Sequence, residues 1–290
     1  MTERESRPED DHRPLSGRVA LITGAASGIG EATARALARR GCNLLLAARR
    51  LDRLQSLAGE LTSGQAGVDA RPVRLDVSQP GEVADAVRQA EAWFGSIDIL
   101  VNNAGIGRMD RLEALDPEDD IQQQVAVNLT GAILASRAVL PGMLRSGRGH
   151  IIQVGSMASF VGTPLYSIYA ATKFGLRGFS ESLRREVRSK GIRVSTVYPG
   201  GVRTGFGRTA GASRGRVVRT PSWLVLTPEQ VGEAIARLAL RPRRTLVLPA
   251  LMAPVVWGNA LLPGLVDWVV DRFIRRRNSV RPSSGNAQSG

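Results

Sequence analysis

The sequence predicts an α/β fold. Its 290 residues suit one large α/β domain or two small ones, and its ordinary apolar content allows a sizeable core. Short apolar runs that are typical of buried strands alternate along the chain with longer stretches of helical pattern. A glycine-rich turn joins the first of these strands to the first helix, an order typical of ligand sites in open α/β sheets. The chain shows no internal repeat and no linker between two domains.

The glycine-rich turn occupies residues 24–30, between a strand predicted at 18–23 and a helix predicted at 31–40. Glycines let the backbone turn tightly and approach a pyrophosphate, and a helix N-terminus supplies N–H groups and the positive end of its dipole. The glycines follow the spacing GxxxGxG, which differs from the commoner GxGxxG. The position of the turn between strand and helix therefore indicates a dinucleotide site more strongly than its spacing does.

The second predicted strand, residues 42–47, is followed by Ala48 and Arg49. An acidic side chain that binds the adenosine ribose of NAD is expected about 20 residues past the glycines, which is this place. The chain has no carboxylate there, and the Arg49 guanidinium can pair with a 2′-phosphate. Because the chain is rich in arginine, the alternative is that the Arg49 side chain is exposed to solvent and binds no ligand. We expect NADP(H) to be favoured over NAD(H).

Residues 68–75 and 97–101 predict the third and fourth strands. Asp76 follows the third strand and could accept a hydrogen bond from an adenine amino group. Its alternative role is to start the helix predicted at 81–94.

Three polar or small residues, Asn102, Asn103 and Gly105, follow the fourth strand. Two amides and a glycine at a strand end suit either a polar ligand or an internal turn lock. Asn128 lies inside a helix predicted at 117–144. Such an asparagine usually bonds to a local backbone group, and the sharper alternative is that it holds a water.

Tyr169 and Lys173 are four residues apart in the segment YAATK, which puts them on one face of a helix. A nearby ammonium lowers the pKa of a phenol, so Tyr169 could exchange a proton with a carbonyl or alcohol oxygen. Ser156 follows a strand predicted at 150–154, at the end where open α/β sheets place their ligands. The same Tyr–Lys spacing also occurs by chance. Tyr166, two turns from Lys173, is predicted to precede the helix.

The last third of the chain supplies two more strands and a candidate lid. Residues 193–197 predict the sixth strand and lead into the segment YPGGVRT at 198–204. The Gly-, Arg- and Thr-rich residues 205–226 are predicted to form a mobile lid. The segment TPEQ at 227–230 predicts a helix start with Thr as N-cap, Pro at the first helical position and Gln closing a capping box. Residues 245–248 predict the last strand.

Composition limits the classes of function. The formal charge of +13 could suggest nucleic acid or an anionic membrane, but nearly all basic residues are arginine, and compositional bias explains the charge without a nucleic-acid partner. The only cysteine, Cys42, fits strand packing and a reducing compartment. His12 and His150 lie far apart without cysteines nearby, so no zinc site is expected. Residues 1–16 are polar, lack the apolar core of a signal peptide and are predicted to be disordered. A cytoplasmic location is expected.

Together these stretches resemble the classical short-chain dehydrogenases/reductases over residues 17–248. TGAASGIG at 23–30 looks like the cofactor turn of that family, and NNAG at 102–105 looks like its structural motif after the fourth strand. YPGGVRT at 198–204 looks like its PG motif. Four more residues match the family's catalytic set in order and spacing: Asn128, Ser156, Tyr169 and Lys173.

The resemblance implies a doubly wound parallel sheet of seven strands with helices on both faces. It implies that the substrate oxygen lies between Ser156 and Tyr169, and that Tyr169 exchanges the proton while hydride passes between nicotinamide and the carbonyl carbon. Lys173 would lower the pKa of the tyrosine and hold the nicotinamide ribose. Asn128 would hold a water that relays protons to Lys173, and Thr204 would bond to the nicotinamide carboxamide.

The resemblance also implies a cofactor site and a subunit interface. Homodimers or homotetramers would form on the long helices predicted at 117–144 and 167–190. The substrate would be a small carbonyl compound or alcohol. The cofactor-binding residues would be Gly24, Ser27, Gly28, Ile29, Gly30, Arg49, Asp76, Val77, Asn103, Ala104, Gly105, Tyr169, Lys173, Pro199, Gly200, Val202 and Thr204.

Three functions compete. The first is an NADP(H)-dependent oxidoreductase that acts on an apolar carbonyl compound or alcohol. The second is a 3-oxoacyl-(carrier protein) reductase, whose acidic carrier surface arginines could grip, although the C-terminal extension argues against it. The third is a dinucleotide-binding regulator without catalysis, which would need a broken catalytic set, and here that set is complete.

The C-terminal extension, residues 249–277, precedes a tail at 278–290 that is predicted to be disordered. Residues 245–266 carry no formal charge, but prolines and glycines make one straight membrane-spanning helix improbable. In one hypothesis the extension packs over the substrate pocket or against another subunit. In the other it lies in a membrane interface. That hypothesis puts two tryptophans at headgroup depth and a basic cluster on anionic lipid: Trp257, Trp268, Arg272, Arg275, Arg276 and Arg277. Both hypotheses predict an apolar substrate.

Overall fold

Seven strands form one parallel sheet in a computed structural model, which describes residues 13–211, 222–266, 268 and 272. The strands are β1 (Val19–Thr23), β2 (Asn43–Ala48), β3 (Ala70–Arg74), β4 (Ile99–Asn102), β5 (Gly149–Val154), β6 (Ile192–Pro199) and β7 (Thr245–Leu248). Their order is β3-β2-β1-β4-β5-β6-β7, and every neighbouring pair is parallel. The order reverses between β1 and β4, which confirms the predicted doubly wound sheet.

The α-helices include α1 (Gly28–Ala38), α2 (Leu51–Gly64), α3 (Pro80–Phe94), α4 (Gln123–Val125), α5 (Gly131–Ser146), α6 (Ser167–Val187), α7 (Phe206–Gly211), α8 (Pro228–Leu240) and α9 (Ala253–Leu261), and residues 263–266 are helical as well. Helix α2 is absent from the predictions made from sequence. The signal was present, because Leu54, Leu57 and Leu61 recur at helical spacing and all three are buried.

The sheet is covered on both faces, as a parallel sheet requires. Alternate residues of each strand enter opposite layers, so that Ile22 and Leu46 pack with α1, α2 and α8, while Leu21 and Leu45 pack with α3, α5 and α6. Because both layers are apolar, the central strands read as continuous apolar runs in the sequence. Cys42 is fully buried in the first layer, as its strand-packing interpretation requires, and burial raises the pKa of its thiol.

Helices α1 and α8 pack with their backbones almost in contact. A Cβ placed on Gly232 of α8 would lie 2.6 Å from the carbonyl carbon of Ala32 in α1, so only glycine fits there. Helix α8 begins as predicted: Thr227 accepts from the backbone N–H of Gln230, and the Gln230 side chain accepts from Thr227 N–H, which completes the capping box.

The helical stretch from Pro117 to Ser146 contains two π-helical turns, Pro117–Gln122 and Ala126–Thr130, on either side of α4. Its length and composition alone would allow it to cross a membrane, but the core helices of soluble proteins pass the same test. Here α5 packs against the sheet and α3. The π turns interrupt the regular helical ladder next to the site described below, where such bulges are frequent.

The ends of the chain and part of the predicted lid lie outside the described residues. These are 1–12 and 273–290, with 212–221 of the lid predicted at 205–226. Within the predicted N-terminal tail, Leu15 is buried and its backbone N–H donates to Arg40 O. The described start of the lid forms α7, which is therefore regular structure and not open loop.

Candidate active site

The residues of the predicted site lie at the carboxyl edge of the sheet, where the strand order reverses. The glycine turn follows β1, and the backbone of Gly24 and Gly28 has φ of +67° and +59°, which side chains other than glycine rarely adopt. A Cβ on Gly30 would lie 2.2 Å from Gly24 O. Ser27, the N-cap of α1, makes no side-chain cap, so the first N–H groups of α1 are left to a ligand. This turn fits a pyrophosphate.

Asn103 closes the glycine turn from the side of β4. Its side-chain Nδ2 donates to Thr23 O (3.0 Å) and Gly24 O (3.2 Å), and its backbone N–H donates to Thr23 Oγ1. The Asn103 side chain therefore holds the glycine turn together, which is the second of the two roles predicted for these amides. Asn102 points into the core, where Nδ2 donates to Ala132 O (3.1 Å) and to a buried serine hydroxyl.

The second strand end brings two arginines to the turn. Arg50 Nη2 donates to Ser27 Oγ at 3.1 Å, so the residue after the predicted Arg49 is the one that reaches the glycine turn. Arg49 lies near Asp76. Burial opposes ionisation of Asp76, but hydrogen bonds from Ser78 and the charges of Arg49 and Arg74 lower its pKa below the usual value.

Asp76 does not start the next helix. Its Oδ1 accepts from the backbone N–H and hydroxyl of Ser78, at 3.0 and 2.7 Å, whereas α3 begins after Gln79. This closes a local turn that presents the carboxylate at the sheet edge. Val77 is buried beside it. Its side chain leaves no room for a Cβ on Gly131 of α5, so it holds the turn against that helix.

Tyr169 lies in the first turn of α6, with Tyr166 just before the helix, as predicted. Although Tyr169 is only partly buried as a residue, desolvation of the phenol by its close neighbours raises its pKa to about 12. A hydrogen bond with the Ser156 hydroxyl acts in the opposite direction, and Tyr166 raises the pKa further. The sequence predicts that Lys173 lowers this pKa, but burial dominates here and raises the pKa above that of an ordinary phenol.

Lys173 lies one turn further along α6 and is buried. Its Nζ donates to Val154 O at 2.9 Å and lies 5.6 Å from the centroid of the Tyr169 ring. Burial lowers the pKa of Lys173 to about 8. The ammonium also borders the loop after β4, because a Cβ on Gly105 would lie 4.0 Å from Nζ.

Asn128 bonds to the loop after β4, not to its own helix. Oδ1 accepts from Ile106 N–H and Nδ2 donates to Ile106 O, both at 2.8 Å. Nδ2 also donates to Thr172 Oγ1 (3.3 Å), whose hydroxyl donates to Tyr169 O (2.7 Å). The side chain thus connects this loop to the backbone of the tyrosine, and its predicted role of holding a water stays a prediction.

Gln124 repeats this arrangement one turn earlier and was missed by the sequence analysis. It is fully buried in α4, and its Oε1 accepts from Arg108 N–H at 3.0 Å. We call residues 106–110 the strap, because side-chain amides from the helix hold its backbone at Ile106 and Arg108. The spacing of Gln124 and Asn128, four residues apart, puts them on one helix face and was the available signal.

The PG motif closes the opposite side of the site. Gly200 N–H donates to Leu248 O (2.7 Å), and Val202 forms an isolated parallel bridge with Leu226. Thr204 faces the glycine turn, since a Cβ on Gly28 would lie 3.1 Å from its Cγ2. Pro199 ends β6. The PG motif and the glycine turn therefore meet at Thr204 and Gly28.

Comparison with known proteins identifies the family. The family described as short chain dehydrogenase matches residues 18–215. The chain belongs to that family. It is an NAD(P)-dependent oxidoreductase with the Rossmann-type fold of its family, and it acts on small-molecule substrates.

Three relatives show how far the similarity extends. The 3-oxoacyl-[acyl-carrier-protein] reductase of Escherichia coli is 35% identical over 227 residues, 78% of this chain and 91% of that protein. A dehydrogenase/reductase SDR family protein 7-like of Drosophila melanogaster is 31% identical over 278 residues, 93% and 85% of the two chains. An alcohol dehydrogenase of Thermococcus sibiricus, solved with 5-hydroxy-NADP, superposes with a TM-score of 0.71 at 35% identity, covering 80% and 94%.

The buried lysine makes stability depend on pH. The pKa of Lys173 is about 8 in the folded protein and 10.5 for an ordinary lysine, so between these values the unfolded chain binds the proton and the folded chain does not. The free energy of unfolding of the wild type should therefore rise relative to that of Lys173→Met from pH 8 to 10.5, by on the order of 3 kcal/mol. Urea unfolding at pH 7 to 10 measures it. Lys190→Met, which removes the exposed second lysine, is the control, and equal slopes for both variants would contradict the expectation.

Proposed function

We propose that the protein is an NADP(H)-dependent carbonyl reductase that acts on apolar ketones or aldehydes, with Tyr169 as the proton donor. The observation that carries this proposal is the meeting of Ser156, Tyr169 and Lys173 beside a glycine turn that fits a dinucleotide. A phenol carries its proton at neutral pH, and the raised pKa of Tyr169 extends that range to higher pH. A protonated phenol suits reduction, in which the substrate oxygen must receive a proton.

In the proposed mechanism each side chain acts on one atom of the reaction. The bound nicotinamide supplies or accepts the hydride. Ser156 and Tyr169 bind the substrate oxygen, and Tyr169 donates its proton to that oxygen as negative charge develops there. Lys173, charged below about pH 8, stabilises the phenolate that remains. Asn128 and Thr172 fix the backbone of Tyr169 and the strap, so the phenol is held in place before the substrate arrives.

Replacement of Tyr169 tests this assignment. Tyr169→Phe keeps the ring and removes the proton donor, so kcat should fall by a factor of about 10² or more, the usual contribution of a positioned acid–base group. NADPH binding, followed by fluorescence, should persist. Tyr166→Phe is the matched control on the neighbouring ring and should cost much less. Near-normal turnover of Tyr169→Phe would refute the mechanism.

The choice of NADP(H) rests on the arginines after β2. Ala48 leaves no carboxylate to repel a 2′-phosphate, Arg49 lies beside Asp76, and Arg50 already donates to Ser27 at the glycine turn. Two guanidinium groups thus flank the place where the adenosine ribose of a dinucleotide bound at this turn would lie. The relative solved with 5-hydroxy-NADP supports the same preference.

Exchange of these residues should move the preference toward NADH. In the double variant Ala48→Asp/Arg49→Leu, the ratio of kcat/KM with NADPH to that with NADH should fall about 10- to 100-fold, since a hydrogen bond to a charged group contributes about 1.5–3 kcal/mol. Arg50→Leu should lower the ratio as well. The control is Arg53→Leu, which removes an exposed arginine three residues after Arg50. A wild type that prefers NADH would overturn the interpretation.

An apolar substrate is supported by the C-terminal extension. Asn259 of α9 donates through Nδ2 to Phe160 O at 2.8 Å, and Phe160 packs on Tyr198 with ring centroids 4.6 Å apart. Met252 lies against Gly200 of the PG motif. The extension thus contacts the segment after Ser156 and the PG motif, and we propose that it covers the substrate pocket.

The outer side of the extension stays apolar. Leu251 and Leu261 are 69% and 74% exposed, and Trp268 is 59% exposed with Arg272 over its ring. This supports the membrane hypothesis as the alternative. The other residues that the membrane hypothesis names lie outside the described part of the chain. They are Arg275, Arg276 and Arg277, together with the side chain of Trp257.

Truncation after Pro249 separates the two hypotheses. If the extension covers the pocket, KM for an apolar ketone should rise about tenfold or more, because apolar contact area is lost, while the Kd for NADPH stays unchanged. Asn259→Ala should raise KM in the same direction by a smaller factor. Unchanged KM together with co-sedimentation of the full chain with phosphatidylglycerol vesicles would favour the membrane instead.

The similarity to a 3-oxoacyl-[acyl-carrier-protein] reductase keeps that reaction as a second candidate. Turnover with NADPH over a panel of ketones and acetoacetyl thioesters distinguishes the two candidate reactions.

A homo-oligomer built on the helical stretch 117–146 and on α6 is supported by exposed apolar side chains there, namely Val125, Leu144 and Phe174.

A further inference from the structure

The ring of Tyr169 packs against two other aromatic rings. The Tyr166 ring lies with its centroid 5.8 Å from that of Tyr169, and the Phe206 ring lies at 5.5 Å with the planes tilted by 55°. Tyr166 comes from the start of α6, whereas Phe206 is the first residue of α7, in the segment predicted as a lid. Two distant parts of the chain therefore bound the space next to the proton donor.

Phe206 rests on the one strap residue that has no side chain. A Cβ on Gly107 would lie 2.7 Å from Phe206 Cζ, 3.0 Å from its Cε1 and 3.2 Å from Ala210 Cβ. Real Cβ atoms do not approach other atoms this closely, so the position of the Phe206 ring requires glycine at residue 107.

The strap fixes both aromatic neighbours of Tyr169 through its backbone. Met109 N–H donates to Ala210 O at 2.7 Å, which holds α7 and Phe206. The next N–H, of Asp110, donates at 3.2 Å to the carbonyl of Leu165, the residue before Tyr166. Leu165 has φ of +71°, a strained conformation that persists only where its surroundings enforce it. One short segment therefore sets the separation between Phe206 and Tyr166.

We propose that Phe206, seated on Gly107, determines the size of the substrate substituent that can lie beside Tyr169. The inference rests on the proposed carbonyl reductase function and names a specificity residue for it. The ring offers no hydrogen-bonding group, so it selects apolar substituents by size alone. Pockets of this kind discriminate by about 10- to 200-fold for each methylene group.

Steady-state kinetics with a small and a large ketone test the proposal. The probes are acetophenone and benzophenone with NADPH, and the quantity is the ratio of their kcat/KM values. Phe206→Ala should shift this ratio toward benzophenone by about tenfold or more, because the ring no longer limits the space. Gly207→Ala, on the same helix but with nothing within 4 Å of its new Cβ, should leave the ratio unchanged. An unchanged ratio in Phe206→Ala overturns the proposal.

A double-mutant cycle tests the contact between the Phe206 ring and Gly107. Gly107→Ala should lower kcat/KM for both ketones, because the new methyl group displaces the Phe206 ring. In the Phe206→Ala background the same change should have at most a small effect, since its main clash is gone. An equal loss with and without the ring would show that Gly107 acts through something other than Phe206.

A measurement without turnover separates this proposal from the proposed function. Cys42, the only native cysteine, is buried, so a thiol introduced by Phe206→Cys should be the group that iodoacetamide alkylates. With NADP⁺ present, which cannot reduce a ketone, saturating acetophenone or benzophenone should slow alkylation severalfold, whereas a thiol introduced by Gly207→Cys should react at the same rate with and without ketone. No protection at residue 206 by either compound overturns the proposal. Protection in a protein that reduces no carbonyl compound would instead contradict the proposed function.

Discussion

The burial of the Lys173 ammonium is the constraint on which the rest of the site depends. A buried charge is costly unless it is hydrogen-bonded, and here the carbonyl of Val154, at the end of β5, accepts from it. The first turns of α6 must therefore lie next to the end of β5, which places Tyr169 there as well. The loop after β4 must also pass close by, because Gly105 borders the ammonium. The position of one charge thus fixes a strand end, a helix and a loop.

Hydrogen bonds from side-chain amides hold the loops around this charge in place. Asn103 binds the turn after β1, Asn128 binds Ile106, and Gln124 binds Arg108. Each amide satisfies backbone groups that would otherwise need solvent, so the loops can lie partly buried. The result is a site whose loops are held from behind, which leaves their exposed sides to cofactor and substrate. Catalysis by positioning requires this kind of support, since small displacements of a reacting group cost large factors in rate.

Apolar runs and glycine spacing are local signals, so sequence reasoning found the strands, whereas the doubly wound sheet followed from the resemblance to a family. Sequence reasoning also selected Ser156, Tyr169 and Lys173, and the structure brings these three residues together. It missed α2, whose helical leucine spacing was legible, and it missed Gln124. It also expected the lysine to lower the pKa of Tyr169, whereas desolvation raises it. Burial of a ring depends on contacts between distant segments, such as that of Tyr169 with Phe206, and no local pattern reports them.

The glycine at residue 232 has a mechanical consequence. Because it brings the backbones of α1 and α8 almost into contact, the two helices cannot slide independently without a clash. The first turn of α1 follows the glycine turn, and α8 starts two residues after Leu226, which is bonded to Gly201 and Arg203. A shift of α1 is therefore carried through α8 to Leu226, and from there through two backbone hydrogen bonds to Gly201 and Arg203 of the PG motif.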